Sequence, residues 1–515
     1  MRAPSELWTR AVAAAADRHT MGLLGIGSPV LMERAGLCVA HEVAELRRGT
    51  GLPVVVLCGP GNNGGDGLAV CRQLFGWEIP ARAVLCADKH NEAVARQLAM
   101  CRSFGVTVLS QWPGVHRPTL VVDALLGTGS RGAPRGRVAD ALRQQRALQG
   151  PRVAVDLPTG VDADTGAVWP DAFRATTTVT FVRSKPGLHM TPGRAYAGRV
   201  VVADIGLVGE PDRNREHTLV DPGLVDRVLS RLPAGAHKGQ RGHLGIVGGS
   251  AGTPGAAILA ASGALRSGAG LATIATDDPG VQAQLVAHRP EVMVQPRRGG
   301  TALLPQADTL CIGPGLTQPD DLNGVAALWS EDPRPAVFDA SALDVVPLRT
   351  VSGGPRVITP HPGEAARLLA RAEPDETWTS ARVQADRGDA ARRLARVTAA
   401  VVVLKGEGTL IAVPAADDTD PPHLHIVVSG GPALATAGSG DVLAGIVGGL
   451  MARGVQAGVA AAAAAYVHGI AGECLEASGP GGLAMDIADA TGPALARIRG
   501  PQGRVHTRWP GIRRG

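Results

Sequence analysis

Aromatic residues are scarce in this chain, only 3% of 515 residues. Its cores must therefore rely on Ala, Val and Leu. Cysteine is sparse too, seven residues with no CxxC spacing. An odd, scattered set argues for reduced thiols rather than a disulfide frame or a zinc site. Long hydrophobic runs are missing: the alanine-rich stretch Val459–Ala465 falls well short of the roughly 20 apolar residues a membrane span needs. Near the N-terminus, Arg10, Asp17, Arg18 and His19 interrupt the apolar stretches, which excludes a signal peptide. These absences predict a cytoplasmic protein with no membrane partner. Basic residues give a net charge of +5, but the arginines are scattered and no basic stripe is interleaved with aromatics, so nucleic acid is not an expected partner. Lysine is the scarcest charged residue, at Lys89, Lys185, Lys238 and Lys405 only. Where Arg has been used so widely, a surviving Lys can mark a place that needs a compact point charge; chance survival on the surface is the alternative, above all for Lys89.

The chain is too long for one core, which predicts two or three domains. Short Val-rich runs alternate with segments of helical period from residue 54 to about 205. The strand candidates are Val54–Cys58, Ala83–Cys86, Leu120–Ala124, Val153–Val155, Thr178–Phe181 and Val200–Ala203. Helices are expected at Leu7–Asp17, Val30–Arg47, Ala93–Phe104 and Val138–Leu148. This rhythm predicts a doubly wound parallel sheet, whose ligands bind at the carboxyl ends of the strands. A polar stretch around Gly209–His217 breaks it. Alternation then resumes with strands at Leu244–Val247, Ala272–Ala275, Leu310–Gly313, Ala336–Asp339, Val357–Thr359, Val401–Leu404, Leu410–Val413 and Leu424–Val428. Helices are expected at Gly255–Ser267, Val442–Met451 and Ala457–Leu475. The expected domains are 1–213 and 220–500, followed by a basic tail, 501–515, predicted to be poorly ordered.

Two glycine-rich turns of different design stand out. Gly59-Pro60-Gly61-Asn62-Asn63-Gly64-Gly65-Asp66-Gly67 follows the first strand, and Ala435-Thr436-Ala437-Gly438-Ser439-Gly440-Asp441 opens a helix. A strand-to-glycine-to-helix turn aims backbone N–H groups and the positive end of a helix dipole at an anion. Neither is a Walker loop or a GxGxxG fingerprint. Two such turns predict two nucleotide-handling sites on one chain.

In a parallel sheet, VDALLGTG (122–129) and VDLPTG (155–160) would lie along the same edge as the first glycine loop. Asp123 and Asp156 would then approach one crevice, although Asp123 can also be a turn or cap residue and Asp156 a strand-end turn. Together with LMERAG (31–36) and KPGL (185–188), these segments resemble the epimerase domain for hydrated nicotinamide nucleotides, a Rossmann-like family, over roughly residues 5–210. The resemblance implies substrate contacts at Asn62, Asn63, Gly64, Gly65 and Asp66, and at Gly127, Thr128, Gly129, Ser130, Arg131, Gly132 and Ala133. It also implies a catalytic or substrate-binding role for Asp156 and a potassium ion held by Asn63, Asp123 and Thr159. The last position is more often Ser, and Thr keeps the hydroxyl oxygen that a hard cation needs. Inverting C6 of such a hydrate, by loss and return of water or by ring opening, requires a positioned carboxylate as acid and base.

In the second half, Gly438, Ser439 and Gly440 can direct amides into an anion hole, and Asp441 in the first helical turn can align or deprotonate an acceptor hydroxyl. With Lys238-Gly239, GHLGIVGGS (242–250), GPGL (313–316), Asp339-Ala340, TPHPGE (359–364) and LKGEGT (404–409), this segment resembles the ADP-dependent dehydratase for the same hydrates, a ribokinase-like fold, over about 225–495. The resemblance implies substrate contacts at Ala256, Gly315, His361 and Asp441. It places ADP, with Mg2+, against Lys405, Gly406, Glu407, Gly408, Thr409 and Gly440. His361 can equally be a turn residue between prolines, and Glu364 fits a first-turn helix carboxylate better than a metal shell. One departure is visible: before Pro432 the family usually has Asn, and Gly431 stands here.

The joint expectation is an α/β protein, a Rossmann-like domain followed by a ribokinase-like one. It would be a bifunctional repair enzyme for hydrated NADH and NADPH, with homo-oligomers as a family-level expectation. Two other readings remain open: a ribokinase-like kinase of a small hydroxylated metabolite with a regulatory front domain, and a first half that binds nucleotide without turnover.

Overall fold

Valine-rich segments of the first half pair in register into one sheet. The computed structural model describes residues 6–499 apart from 115–116, 209–215, 230–234, 236, 298–302, 349–352, 416, 418–419, 478 and 480. The basic tail and most of the expected boundary segment therefore lie outside the described residues. The chain divides after Arg215 into two compact units.

In the first unit, strands β1 (Val54–Cys58), β2 (Ala81–Leu85), β3 (Thr107–Leu109), β4 (Leu120–Ala124), β5 (Arg152–Val155), β6 (Thr177–Phe181) and β7 (Arg199–Ala203) run parallel in the order β3-β2-β1-β4-β5-β6-β7. Side chains alternate between the two faces of a strand, and both faces of β1 are buried. Val54, Val56 and Cys58 join Leu68, Val70 and Leu74 of the helix Asn62–Gly76. Val55 and Leu57 join Val138, Ala141 and Leu142 of the helix Gly136–Gln145. The sheet is thus doubly wound. Strand order reverses between β1 and β4, where a crevice opens at the carboxyl ends. Gly59, leaving β1, donates its N–H to the Ala124 carbonyl of β4 at 3.0 Å.

The second unit is built on β8 (His217–Leu219), β9 (His243–Val247), β10 (Leu271–Ala275), β11 (Met293–Gln295), β12 (Thr309–Ile312), β13 (Ala336–Phe338), β14 (Arg356–Ile358), β15 (Val401–Leu404), β16 (Leu410–Val413) and β17 (His423–Ile426). Their order is β11-β10-β9-β12-β13-β14-β15-β16-β17-β8. The run from β11 to β15 is parallel; β16 is antiparallel to both of its neighbours. Order reverses between β9 and β12, and the loops there are tied by Gly249 N–H to Pro314 and Ser250 N–H to Gly315, both 2.9 Å. Of the described helices, one is long and apolar enough to cross a membrane, Ala457–Glu476. Its alanines 460–465 are buried in the core of this unit.

Several expected boundaries shift by one or two residues. β3, β8 and β11 went unread because three residues show no period. The helices Pro362–Ala372, Arg387–Thr398 and Ala484–Arg499 are also additions. The first glycine turn differs more: the helix already begins at Asn62, so Gly64 and Gly65 are helical rather than part of a loop.

With so few aromatics, helices approach to backbone contact. Pro254–Arg266 lies against Ser439–Ala452 so closely that a Cβ on Gly445 would run into the Ala260 carbonyl. Gly445→Ala is expected to destabilise the second unit by about 1–3 kcal/mol, a typical cost of overpacking. Denaturant unfolding should show an earlier transition for that unit and an unchanged one for the first.

Candidate active sites

β5 ends at Val155, and Asp156 beyond it takes a positive φ of 67°, a conformation few non-glycine residues adopt. Its N–H still donates to Val179 of β6 at 2.8 Å, so the kink redirects the side chain without opening the sheet. Oδ1 of Asp156 accepts from Lys185 Nζ at 2.6 Å and from Thr180 Oγ1 at 3.3 Å; Oδ2 accepts from the Thr128 N–H at 3.2 Å. Lys185 is only 3% exposed. It completes its bonding on Thr180 Oγ1 (2.8 Å) and the Phe181 carbonyl (3.4 Å). Burial works to raise the Asp156 carboxyl, but the Lys185 charge, its hydrogen bond and the Thr128 donors outweigh it and hold the group below its ordinary value.

Asp156 borders a cavity of about 580 Å³ at the switch point, together with Asn62, Asn63, Asp66 and Gly127–Ser130. Asn63 is buried, and among the described residues its Nδ2 finds no acceptor. Gly127 lies between Asn63 and Asp156: a Cβ there would stand 3.3 Å from Asn63 Oδ1 and 3.2 Å from Asp156 Oδ2. Gly65 backs onto Met32 of the LMERAG segment. Arg131, Gly132 and Ala133 are exposed and do not border this cavity, so the expected contact segment is joined to it only as far as Ser130. The chain beyond bends out into solvent before the helix Gly136–Gln145.

Two further carboxylates face the cavity. Arg10, Ala14, Asp17 and Met21, spaced three or four residues apart, line it from the helix Arg10–Gly22. Asp17 is raised by burial and by Asp156, with Lys185 and Arg18 opposing. Asp66 opens part of its surface to the cavity while protein encloses the rest; burial, then Asp156 and Asp17, push it well above the usual carboxylate range.

Asp123 is fully buried behind this wall. Its carboxylate accepts from Thr159 N–H at 2.7 Å, Thr159 Oγ1 at 2.8 Å and Leu125 N–H at 3.1 Å. Burial raises it to about 6 against the pull of these donors. Asp123 and Thr159 thus meet directly. The structure shows no hydrogen bond from Asn63 to either.

In the second unit, three neighbouring parallel strands deliver one cluster. Asp339 follows β13, Thr359 follows β14 and Lys405 follows β15. Asp339 Oδ1 accepts from Lys405 Nζ at 2.9 Å and from Thr359 Oγ1 at 2.6 Å. Glu364 Oε2 is 3.7 Å from Lys405 Nζ. Burial opposes the Lys405 charge, but Asp339, Glu364 and Asp441 outweigh it and raise the ammonium above its usual value. The helix Ser439–Ala452 points its N-terminus at this cluster: a Cβ on Gly440 would stand 3.3 Å from Lys405 Nζ. Val442 N–H is bonded to Gly438 at 3.2 Å; the amides of Gly440 and Asp441, ahead of it, belong to the first turn, which has no intrahelical acceptors. Asp441 is pushed up to about 7 by burial, then by Asp339 and Glu364, with Lys405 opposing.

The remaining expected positions are dispersed around this centre. Gly315 and Ala256 are neighbours, a Cβ on Gly315 standing 3.1 Å from the Ala256 Cβ. His361 is exposed and caps the helix Pro362–Ala372: its Nδ1 accepts from Gly363 N–H at 3.0 Å, while Glu364 Oε2 accepts from His361 N–H at 2.7 Å. That reciprocal cap is the first-turn role expected of Glu364. Lys405–Thr409 forms the β15–β16 turn. At the position of the missing Asn, the Glu476 carboxylate crowds Gly431 and accepts from Ala433 N–H at 2.9 Å. Lys185 as the partner of Asp156, Asp17, Asp339 as the anchor of Lys405, and the buried Arg387 behind the 405–409 turn were not expected as site residues. For the two lysines the scarcity of Lys was the available signal.

A carboxyl raised to about 7 in the fold binds its proton more tightly there than in the unfolded chain. Its ionisation therefore costs stability, fully above pH 7 and progressively less as pH falls toward 4. Asp441→Asn should raise the melting temperature of the second unit at pH 8, and the gain should shrink at pH 5; scanning calorimetry at the two values reads both.

A family model described as YjeF-related protein N-terminus matches residues 28–187, and one described as NAD(P)H-hydrate dehydratase matches 244–491. The bifunctional NAD(P)H-hydrate repair enzyme of Moorella thermoacetica is 39% identical over 493 residues, covering 89% of this chain and 90% of that protein. The enzyme of the same description from Escherichia coli is 33% identical over 514 residues, covering 97% and 95%. Among solved structures, an ADP/ATP-dependent NAD(P)H-hydrate dehydratase from Bacillus subtilis, co-crystallised with ATP and Mg2+, aligns with a TM-score of 0.47 at 30% identity, covering 53% of this chain and 97% of that one. With both halves matched on one polypeptide, this chain belongs to the family of bifunctional NAD(P)H-hydrate repair enzymes.

Proposed function

We propose that the two sites act in series on hydrated NADH and NADPH, residues 1–213 interconverting the C6 epimers and 220–500 dehydrating the S form at the expense of ADP. The observation that carries the second assignment is the placing of Asp441, poised near neutrality, at a helix N-terminus beside Lys405. Hydroxide leaves poorly and phosphate leaves well. Asp441 takes the proton of the C6 hydroxyl as that oxygen attacks the terminal phosphorus of ADP; AMP departs. The first-turn amides and Lys405 stabilise charge on the transferring group. Electron push from the ring nitrogen then expels phosphate from C6, and loss of the C5 proton to solvent restores the C5–C6 double bond. Gly315 and Ala256 contact the substrate, with His361 at the rim, and the turn Lys405–Thr409 with Gly440 receives the nucleotide. Mg2+ would accompany the phosphates, with Asp339 and Asp441 as nearby oxygens.

At the first site Asp156 is the acid/base for loss and return of water at C6. Lys185 keeps it ionised, and Asn62–Asp66 with Gly127–Ser130 hold the substrate. The hard oxygens of Asp123 and Thr159, with the carboxamide of Asn63 on the cavity wall, suit a potassium ion, which would lend positive charge beside the diphosphate.

The test uses a mixture of both C6 epimers of hydrated NADH, with the purified chain, potassium and ADP or ATP. Recovery of dihydronicotinamide absorbance should be complete and nucleotide-dependent. It should stall partway in Asp156→Asn, apart from slow spontaneous epimerisation, and be lost in Asp441→Ala. No recovery with either nucleotide, or full-rate epimerisation by folded Asp156→Asn, would overturn the assignment.

A further inference from the structure

Arg387 opens the helix Arg387–Thr398 and is 4% exposed. A buried guanidinium ordinarily sits against a carboxylate, but this one is spent on three backbone carbonyls and the Gln384 carboxamide. Nη2 donates to the Leu404 carbonyl at 3.1 Å and the Gly408 carbonyl at 3.3 Å. Nη1 donates to the Lys405 carbonyl at 3.4 Å and to Gln384 Oε1 at 2.9 Å. Every one of those carbonyls belongs to the turn joining β15 to β16 or to its first flanking residue. Gly406 wraps so tightly over the side chain that a Cβ there would lie 2.5 Å from Nη1, at a φ of 142° that L side chains rarely adopt. Thr409 Oγ1 occupies the Gly406 carbonyl at 3.1 Å. The turn's carbonyls are thus drawn inward.

The amides show the complement. Among the described residues, the N–H groups of Gly406, Gly408 and Thr409 donate to no protein acceptor. In a planar trans peptide, C=O and N–H point in opposite directions, so a carbonyl pulled toward Arg387 sends the following N–H the other way. Successive amides facing outward make an anion-binding concavity. Burial brings the Arg387 guanidinium down to about 10, with Glu407 opposing, so it stays charged at neutral pH and adds positive potential behind the concavity.

We propose that Arg387 is the positioning residue of the nucleotide site, a buried fork that holds the carbonyls of residues 405 and 408 inward so that the amides of 406 and 409 that follow them, with the unbonded amide of Gly408 between them, face the diphosphate of the bound nucleoside diphosphate. Arg387 does not touch the ligand itself. Lysine cannot replace it, because a single ammonium cannot span three carbonyls in a fixed plane. The inference rests on the assignment of Lys405–Thr409 to the nucleotide.

The experiment titrates ADP into the full-length wild type and Arg387→Gln, Arg387→Lys and Gly406→Ala variants, reading the dissociation constant by calorimetry and the epimerase rate of the same samples. Arg387→Gln should weaken ADP about tenfold or more, the scale of losing charge-assisted hydrogen bonds, with the epimerase rate unchanged. Arg387→Lys should restore only part of the affinity. Gly406→Ala, which keeps the arginine but pushes the turn off it, should weaken ADP in the same direction. A variant that is merely less stable would lower the number of binding sites and leave the dissociation constant of the folded fraction alone; that outcome, or wild-type affinity in folded Arg387→Gln, overturns the proposal. Should Arg387→Gln fail to fold, Gly406→Ala decides in the same way. Absence of ADP binding by the wild type would instead overturn the nucleotide-site assignment.

Discussion

A lysine ammonium withdrawn from water needs a carboxylate, and each unit meets that need at the carboxyl edge of its sheet, fully buried at Lys185 and half-buried at Lys405. Lys185 binds Asp156 at 2.6 Å and Lys405 binds Asp339 at 2.9 Å. In both cases a threonine hydroxyl from an adjoining strand, Thr180 or Thr359, donates to the same carboxylate oxygen as the lysine. Removing one partner of the buried Lys185–Asp156 pair leaves an uncompensated charge, at a cost of about 3–5 kcal/mol. The strand ends that carry these groups are therefore obliged to converge. In the first unit the pair bridges β5 and the segment after β6; in the second it draws together the ends of β13, β14 and β15. The crevice in which substrate chemistry can occur is a consequence of that convergence.

The same device sets two carboxylates to opposite tasks. Asp156 owns its lysine and is held below its ordinary value, so it stays ionised across neutral pH. Asp441 is pushed up to about 7 by burial and then by Asp339 and Glu364, beside a lysine already bonded to Asp339. Direct pairing leaves Asp156 ionised at rest, so that it enters its cycle as a base, whereas burial beside an occupied cation leaves Asp441 half-protonated near neutrality. The difference lies in which carboxylate the ammonium touches.

Much of this was legible in the sequence. The Val-rich runs placed most of the strands, because buried parallel strands need continuous apolar segments; the first glycine turn marked the switch point of its sheet, and the second marked the helix N-terminus beside Lys405. The rarity of Lys pointed at Lys185 and Lys405 without naming their partners. Other residues carried no local signal. Asp17 and Arg10 reach the cavity through the periodicity of a helix that no motif covers, and Arg387 is one arginine among many until its burial against the 405–409 turn is seen. Partnership across 66 residues, as between Asp339 and Lys405, belongs to strand order, which no window of sequence contains. Arg131–Ala133 show the converse: a segment adjoining a site in sequence need not reach it in space.

On this reading, Lys185 and Lys405 each serve the chemistry of their own unit. The most direct test compares Lys185→Gln and Lys405→Gln in the full-length chain, following epimerisation of the R hydrate and ADP-dependent dehydration of the S hydrate separately. Lys185→Gln is expected to abolish epimerisation and spare dehydration, and Lys405→Gln to do the reverse, each intact activity certifying that its own half is folded. Epimerisation that survives loss of the Lys185 ammonium, or dehydration that survives loss of the Lys405 ammonium, would contradict this reading.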